Sequence, residues 1–163
     1  MNQNVRQMVR GALIGALYVA LTYLQNLLLP GSASMAIQFR ASEALCVLAF
    51  FTPAAIPGLT VGCLLFNLTA AGTLPLDFLV GTLATLGSTA CMRLLRRLPF
   101  LGLWMPAVWN AVLVGWELSV YVGGGFWMNA LYVAIGEAAV LLTLGSALYY
   151  AMKARHLDTR LFS

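Results

Sequence analysis

The sequence predicts an all-α integral membrane protein with six transmembrane helices and both termini on the cytoplasmic side. Three observations carry that prediction. The 163-residue chain is 61% hydrophobic and 9% charged, whereas soluble domains are about 25% charged. Its apolar runs are continuous rather than alternating, which argues against a β-barrel. Its basic residues collect at the ends of those runs, where a bilayer surface places them.

Taken in order, the spans are expected at about 8–29, 40–52, 54–71, 75–97, 106–122 and 126–152, from apolar length and helix breakers. The whole chain, 1–163, reads as a single membrane domain. The first run, "MNQNVRQMVRGALIGALYVALTYLQNLLLP", carries charge and then a stretch long enough to cross a bilayer. A cleaved signal peptide has a shorter apolar core and a small-residue cleavage site, so this is expected to be a retained helix. "LPGSAS", "FTPAAIPG", "AGTLP", "RRLPFLGLWMP" and "YVGGGFW" separate the later spans. Pro53, Pro75 and Pro106 suit the first turn of a new helix, where a missing N–H goes unnoticed. The second span is short and is expected to tilt or to be shielded by its neighbours.

Six crossings return both ends to one face. That face collects Arg6, Arg10, Arg93, Arg96, Arg97, Lys153, Arg155 and Arg160, and the opposite face only Arg40. The asymmetry accounts for the net charge of +4 as a topology signal and removes the need for a nucleic-acid partner. Cys46, Cys63 and Cys91 lie far apart inside apolar runs, and the sole histidine, His156, lies in the polar tail. Neither a metal site nor a disulfide is expected from that set, and no cofactor is called for.

On the first helix, Gly11 and Gly15 are four apart, and so are Ala12, Ala16 and Ala20. Small residues at that spacing make a smooth strip for close helix approach, either within this chain or against an external partner.

Charges at membrane depth demand an account, because a carboxylate there costs about 2.5–3.5 kcal/mol on insertion scales. The candidates are Arg40, Glu43, Asp77, Glu117 and Glu137, with Asn67, Asn110 and Asn129 as neutral companions. Asp77 follows Pro75 in a first turn and reads equally as a helix cap or a ligand group. Glu43 has the same double reading, while Arg40 either snorkels to water or pairs with Glu43. Glu117 and Glu137 sit mid-helix with no capping role. Glu117 is expected roughly 8–9 Å below the outer end of its helix, and Glu137 roughly 16 Å below the start of its own. The set gathers in the outer half of the membrane, Asn110 excepted, which reads as packing. Phe39, Trp116, Tyr121, Phe126 and Trp127 flank the carboxylates. Tyr121 and Trp127 suit an interfacial belt as well as a stacking role, and Trp104 suits the belt. Four carboxylates against one arginine leave an imbalance that protons or a cationic ligand must offset. A flat heterocycle with N–H donors and an attached amine has that chemistry. No HExxH, GxSxG or GxxxxGK[ST] run is present, so enzyme chemistry is not expected and ATP hydrolysis would lie on another chain.

"IQFRASEAL", "FFTPAAIPGLTVGCLLFN", "NAVLVGWEL" and "ALYVAIGEAAVL" together resemble the QueT family, over roughly residues 8 to 152. These are S components, the substrate-binding subunits of energy-coupling factor (ECF) transporters in bacterial plasma membranes. The resemblance implies uptake of queuosine precursors: queuine, 7-aminomethyl-7-deazaguanine or a related deazapurine. It implies partners as well, a transmembrane coupling protein and two ATPases. Docking would use Ala12, Ala16 and Ala20 on the first helix, with Gly11 and Gly15 on the neighbouring strip. The first outer loop, "LPGSASMAIQ", would act as a lid. One of Glu117 and Glu137 would accept from the guanine-like edge and the other from the amine, in either order, with Asn67 or Arg40 donating to the ring carbonyl. The competing reading is a stand-alone proton-coupled carrier of a small cationic or heterocyclic solute, although the inverted repeat common in such carriers is not evident.

Overall fold

The structure, a computed structural model, describes residues 2–30, 32, 39–70, 73–156. Most of the expected lid loop and Arg160 lie outside the described residues. Among the described residues all regular structure is helical. Helix α1 runs Gln3–Leu28 and begins earlier than expected, because Asn2 caps it by accepting from the Asn4 N–H at 3.4 Å. Then come a 3₁₀ helix at Ala41–Phe50, α2 (Ala55–Thr69), α3 (Asp77–Leu94), the single turn α4 (Pro99–Gly102), α5 (Met105–Tyr121) and α6 (Phe126–Val140). A π-helical segment, Leu141–Gly145, joins α6 to α7 (Ser146–Ala154) without a break in the helical run.

Three of these helical runs are long and apolar enough to cross a membrane: Gln3–Leu28, Pro99–Tyr121 and Phe126–Ala154. The chain is a membrane protein by that measure and by its composition. Ala41–Phe50 and Ala55–Thr69 are apolar but shorter.

The second expected span differs most from expectation. It is a ten-residue 3₁₀ helix rather than a thirteen-residue α-helix, and every residue from Ser42 to Phe50 is buried. A 3₁₀ helix rises about 2.0 Å per residue, so it reaches further per residue than an α-helix would. It is shielded on all sides, packing against α1, α2, α3, α6, α7 and the π segment. Pro53 prevents its continuation, and Arg93 Nη1 of α3 donates to the Phe50 carbonyl at 3.0 Å, satisfying its free end. An exposed 3₁₀ helix of this length would not hold; a buried one is held by its neighbours.

The bundle closes by close backbone approach at one seam. The Gly11 and Gly15 face of α1 lies directly on Gly58 and Gly62 of α2. A Cβ on Gly15 would sit 2.6 Å from the Gly58 carbonyl oxygen, and one on Gly62 would sit 2.8 Å from the Gly15 oxygen. No side chain other than hydrogen fits there. The apolar core surrounds the 3₁₀ helix, with Tyr18, Leu59, Cys63 and Met92 among its largest members, and a smaller cluster of Val80, Val114, Leu118 and Val133 joins α3, α5 and α6.

Candidate functional site

The polar residues expected at membrane depth converge on one buried centre. Arg40, at the N-terminal end of the 3₁₀ helix, is 5% exposed and lies at its middle. It interacts electrostatically with Tyr18, Cys63, Asp77 and Glu43, and Glu117 and Glu137 also feel its charge. Its guanidinium stands 5.9 Å over the ring of Phe66, a cation–π contact inside the bundle. The arginine therefore does not snorkel to water. It is the interior counter-charge of two carboxyl pairs: Glu43 with Glu137 on one side, and Asp77 with Glu117 on the other.

The members of each pair differ in how they are held. Glu43 Oε1 accepts from the Tyr18 hydroxyl at 2.7 Å, and Oε2 accepts from the Cys46 thiol at 3.1 Å. Asp77 Oδ2 accepts from the Leu74 N–H at 2.9 Å, fixing the turn that opens α3. Asp77 thus stabilises the start of its helix, as one of its two readings has it, and its carboxyl lies near Glu117. Glu117, 0% exposed on α5, has no hydrogen bond of normal geometry at either oxygen, its polar neighbours being the Asp77 carboxyl and the Leu76 backbone, and Glu137, 1% exposed on α6, has none at Oε2.

Asn67, on α2, donates from Nδ2 to the Asp77 main-chain oxygen at 2.9 Å and to Cys63 Sγ at 3.5 Å, while its Oδ1 is unpartnered. The expectation that Asn67 donates to a ligand carbonyl therefore does not fit the observed bonds; Arg40 is the remaining candidate donor of that pair. Glycine at position 81 makes room, since a Cβ there would sit 2.7 Å from Asn67 Nδ2 and 3.9 Å from Arg40 Nη1. Asn110 donates within its own helix to the Pro106 carbonyl, as packing predicts, and Asn129 donates to the Gly123 carbonyl and ties down the α5–α6 turn.

The aromatic expectations fare differently. Trp116, Tyr121 and Trp127 are 48%, 44% and 82% exposed on the bundle surface, and Phe39 is 38% exposed. The ring beside the centre is Phe66, itself edge-on to Tyr23 at 5.1 Å. Sequence reasoning also missed the α1 side of the site. Tyr18, Thr22 and Gln25 form a buried polar stripe at helical spacing. Thr22 donates to the Tyr18 carbonyl and accepts from the Ser42 hydroxyl, both at 2.7 Å. Gln25 accepts from the Ala41 N–H at 2.7 Å and donates to the Phe39 carbonyl, holding the backbone on both sides of Arg40. The i, i+4, i+7 spacing of these three residues, continuing Gly11 and Gly15, was the available signal.

Among the groups of described residues, none brings three or more His, Cys, Asp or Glu into a metal-holding arrangement. Along the glycine seam, an apolar groove of about 910 Å³ runs between α1 and α2. Gly11 and Gly15 form its floor, in contact with α2, and Ala12, Ala16 and Ala20 form its exposed wall. The two glycines thus serve internal packing, and the alanines remain open.

The family model described as QueT transporter matches residues 8–154, nearly the whole chain. The chain belongs to the QueT transporter family. Neither a curated protein nor a solved structure matches it. Membership makes the apolar helical bundle that of a transport protein.

Proposed function

We propose that this QueT family member is the substrate-binding S component of an ECF-type importer in the bacterial plasma membrane. It captures a queuosine precursor, either queuine, 7-aminomethyl-7-deazaguanine or a related deazapurine, from the outer side. It then delivers the solute on docking to a transmembrane coupling protein and two ATPases, which perform the ATP hydrolysis. Six crossings with cytoplasmic termini accompany this reading, supported by the basic residues of one face against Arg40 on the other.

The observation that carries the proposal is Glu117, fully buried with no hydrogen bond of normal geometry at either oxygen, close to the Asp77 carboxyl, the Leu76 backbone and Arg40. A buried carboxyl without a donor is costly, and a ligand that brings N–H donors relieves the cost. A guanine-like edge offers two adjacent donors, N1–H and the 2-amino group, which match one carboxylate. Glu137, with one free oxygen near Glu43, suits an attached amine. The alanine wall of the groove on α1 supports docking of the coupling protein at Ala12, Ala16 and Ala20.

Equilibrium binding of radiolabelled queuine and 7-aminomethyl-7-deazaguanine to the purified full chain tests the substrate. Sub-micromolar binding of either supports it, and failure of both overturns it. Uptake into proteoliposomes driven by a proton gradient, with no ATPase present, would instead establish a stand-alone carrier.

A further inference from the structure

The unpartnered buried atoms share one chemical character. Among the described residues they are Asn67 Oδ1, Glu117 Oε1, Glu117 Oε2 and Glu137 Oε2, and every one is an oxygen. No buried side-chain nitrogen or hydroxyl appears with them. A carboxyl accepts at both oxygens when ionised and still accepts at its carbonyl oxygen when protonated.

Asn67 extends the set, and its orientation is fixed by its surroundings. The Asp77 main-chain oxygen can only accept, so the Asn67 amide nitrogen must face it, at 2.9 Å. The second amide hydrogen has Cys63 Sγ at 3.5 Å. Turning the amide over would set two acceptors against each other and leave two donors unpaired. The oxygen is thereby held toward a side where, among the described residues, no donor bonds it. Asn67 and Glu117 flank the same residue, Asp77, one bonding its main chain and the other facing its carboxyl. They are neighbours within one centre.

We propose that Asn67, Glu117 and Glu137 form an acceptor set that selects a donor-rich, amine-bearing base over a neutral one, with Asn67 Oδ1 reading a ring N–H of the ligand. This rests on the deazapurine reading above and adds a selection rule to it. The rule follows from the asymmetry of hydrogen bonding. A ligand that fills the space without donating leaves these oxygens as unsatisfied as in the empty site and adds their full desolvation.

The test compares two ligands that differ at one group. The wild-type full chain is titrated with 7-aminomethyl-7-deazaguanine and with the same base carrying a nitrile in place of the aminomethyl group. The amine is expected to bind about 10–100-fold more tightly, the range for a charge-assisted hydrogen bond. Asn67→Leu is expected to weaken both ligands by about 10–100-fold, because the ring N–H is common to them. Equal affinity for amine and nitrile overturns the selection rule and leaves the deazapurine reading standing. Binding of neither overturns both. Wild-type affinity in Asn67→Leu removes Asn67 from the set. The melting temperature of the ligand-free variant reports whether it folds, and the wild-type comparison decides the rule without it.

Discussion

The two halves of α1 bury the same helical face by opposite means. Toward its N-terminus, Gly11 and Gly15 meet Gly58 and Gly62 of α2 backbone to backbone, with no side chain between. Toward its C-terminus, Tyr18, Thr22 and Gln25 meet Glu43, Ser42 and the Ala41 backbone through hydrogen bonds. Inside a membrane, apolar surface gives no special drive to helix association, so shape and hydrogen bonds must supply it. The glycine half relies on shape and tolerates no added atom. The polar half relies on bonds, and it holds Glu43 and the backbone on both sides of Arg40 in place. One face thus fixes the bundle at one end and equips it at the other.

The largest expected effect lies in the glycine half. Gly58→Val places side-chain atoms against the Gly11 carbonyl, where even one Cβ does not fit. Neither backbone can yield, because each belongs to a long helix, so α1 and α2 must separate. The cost should exceed the 1–3 kcal/mol usual for overpacking. The expected outcome is loss of a monodisperse, cooperatively melting protein in detergent, read by size-exclusion chromatography and circular dichroism. A normal melting temperature would show that the seam is looser than its geometry.

Arg40→Met comes next and probes the polar half. It removes the positive charge shared by the two carboxyl pairs, and breaking a buried ion set from one side costs about 3–5 kcal/mol. Melting should fall accordingly at neutral pH. Stability should recover partly in acid, since protonating the carboxyls removes their mutual repulsion. An unchanged melting temperature would reduce Arg40 to an interfacial anchor.

These two positions also show what the sequence could and could not convey. Continuous apolar runs announced the helices, and isolated charges announced the centre, because each charge at depth needs a partner. Arg40, Glu43, Asn67, Asp77, Glu117 and Glu137 are brought together as their depths implied. The 3₁₀ form of Ala41–Phe50 was not legible, since tertiary burial rather than local preference sustains it. Tyr18 and Thr22 were missed because hydroxyls are unremarkable in an apolar helix until a carboxyl is found opposite them. Trp116, Tyr121 and Trp127 are exposed, and of the two readings left open for Tyr121 and Trp127 the interfacial belt accords with that: nearness in sequence to a carboxylate does not place a ring on the same helical face.

Within the polar half, Glu43 and Glu117 sharpen the contrast further. Glu43 has both oxygens bonded, whereas Glu117 has neither. Glu117→Gln should therefore leave the ligand-free melting temperature unchanged or slightly raised, because it replaces a buried carboxyl that no hydrogen bond of normal geometry supports by a neutral group of the same shape. It should weaken ligand binding by about 10–100-fold. Glu43→Gln should do the opposite, lowering stability by about 1–3 kcal/mol as the Tyr18 and Cys46 contacts are disturbed. Thermal melts and equilibrium binding on both variants separate the two roles. If Glu43→Gln proves the more damaging to binding and the less damaging to folding, the assignment of bonded and open carboxyls is reversed.

The smallest expected effect lies one residue from the glycine seam. Gly15 faces α2, but Ala16 points outward on the groove wall. Ala16→Leu meets no backbone across a seam, and both residues are good helix formers. The ligand-free melting temperature should shift by no more than about 0.5 kcal/mol equivalent, the usual range for surface changes. Substrate affinity should be unchanged, because Ala16 is exposed while Tyr18 and Thr22, which face the carboxyl centre, are buried on another face of α1. Uptake in cells should nevertheless fall, since a bulky side chain on the wall keeps a partner helix from close approach. A variant that binds, folds and still transports would show that the groove is not the docking face. A variant that folds poorly would show that the outer strip, like the inner one, is held by shape within this chain.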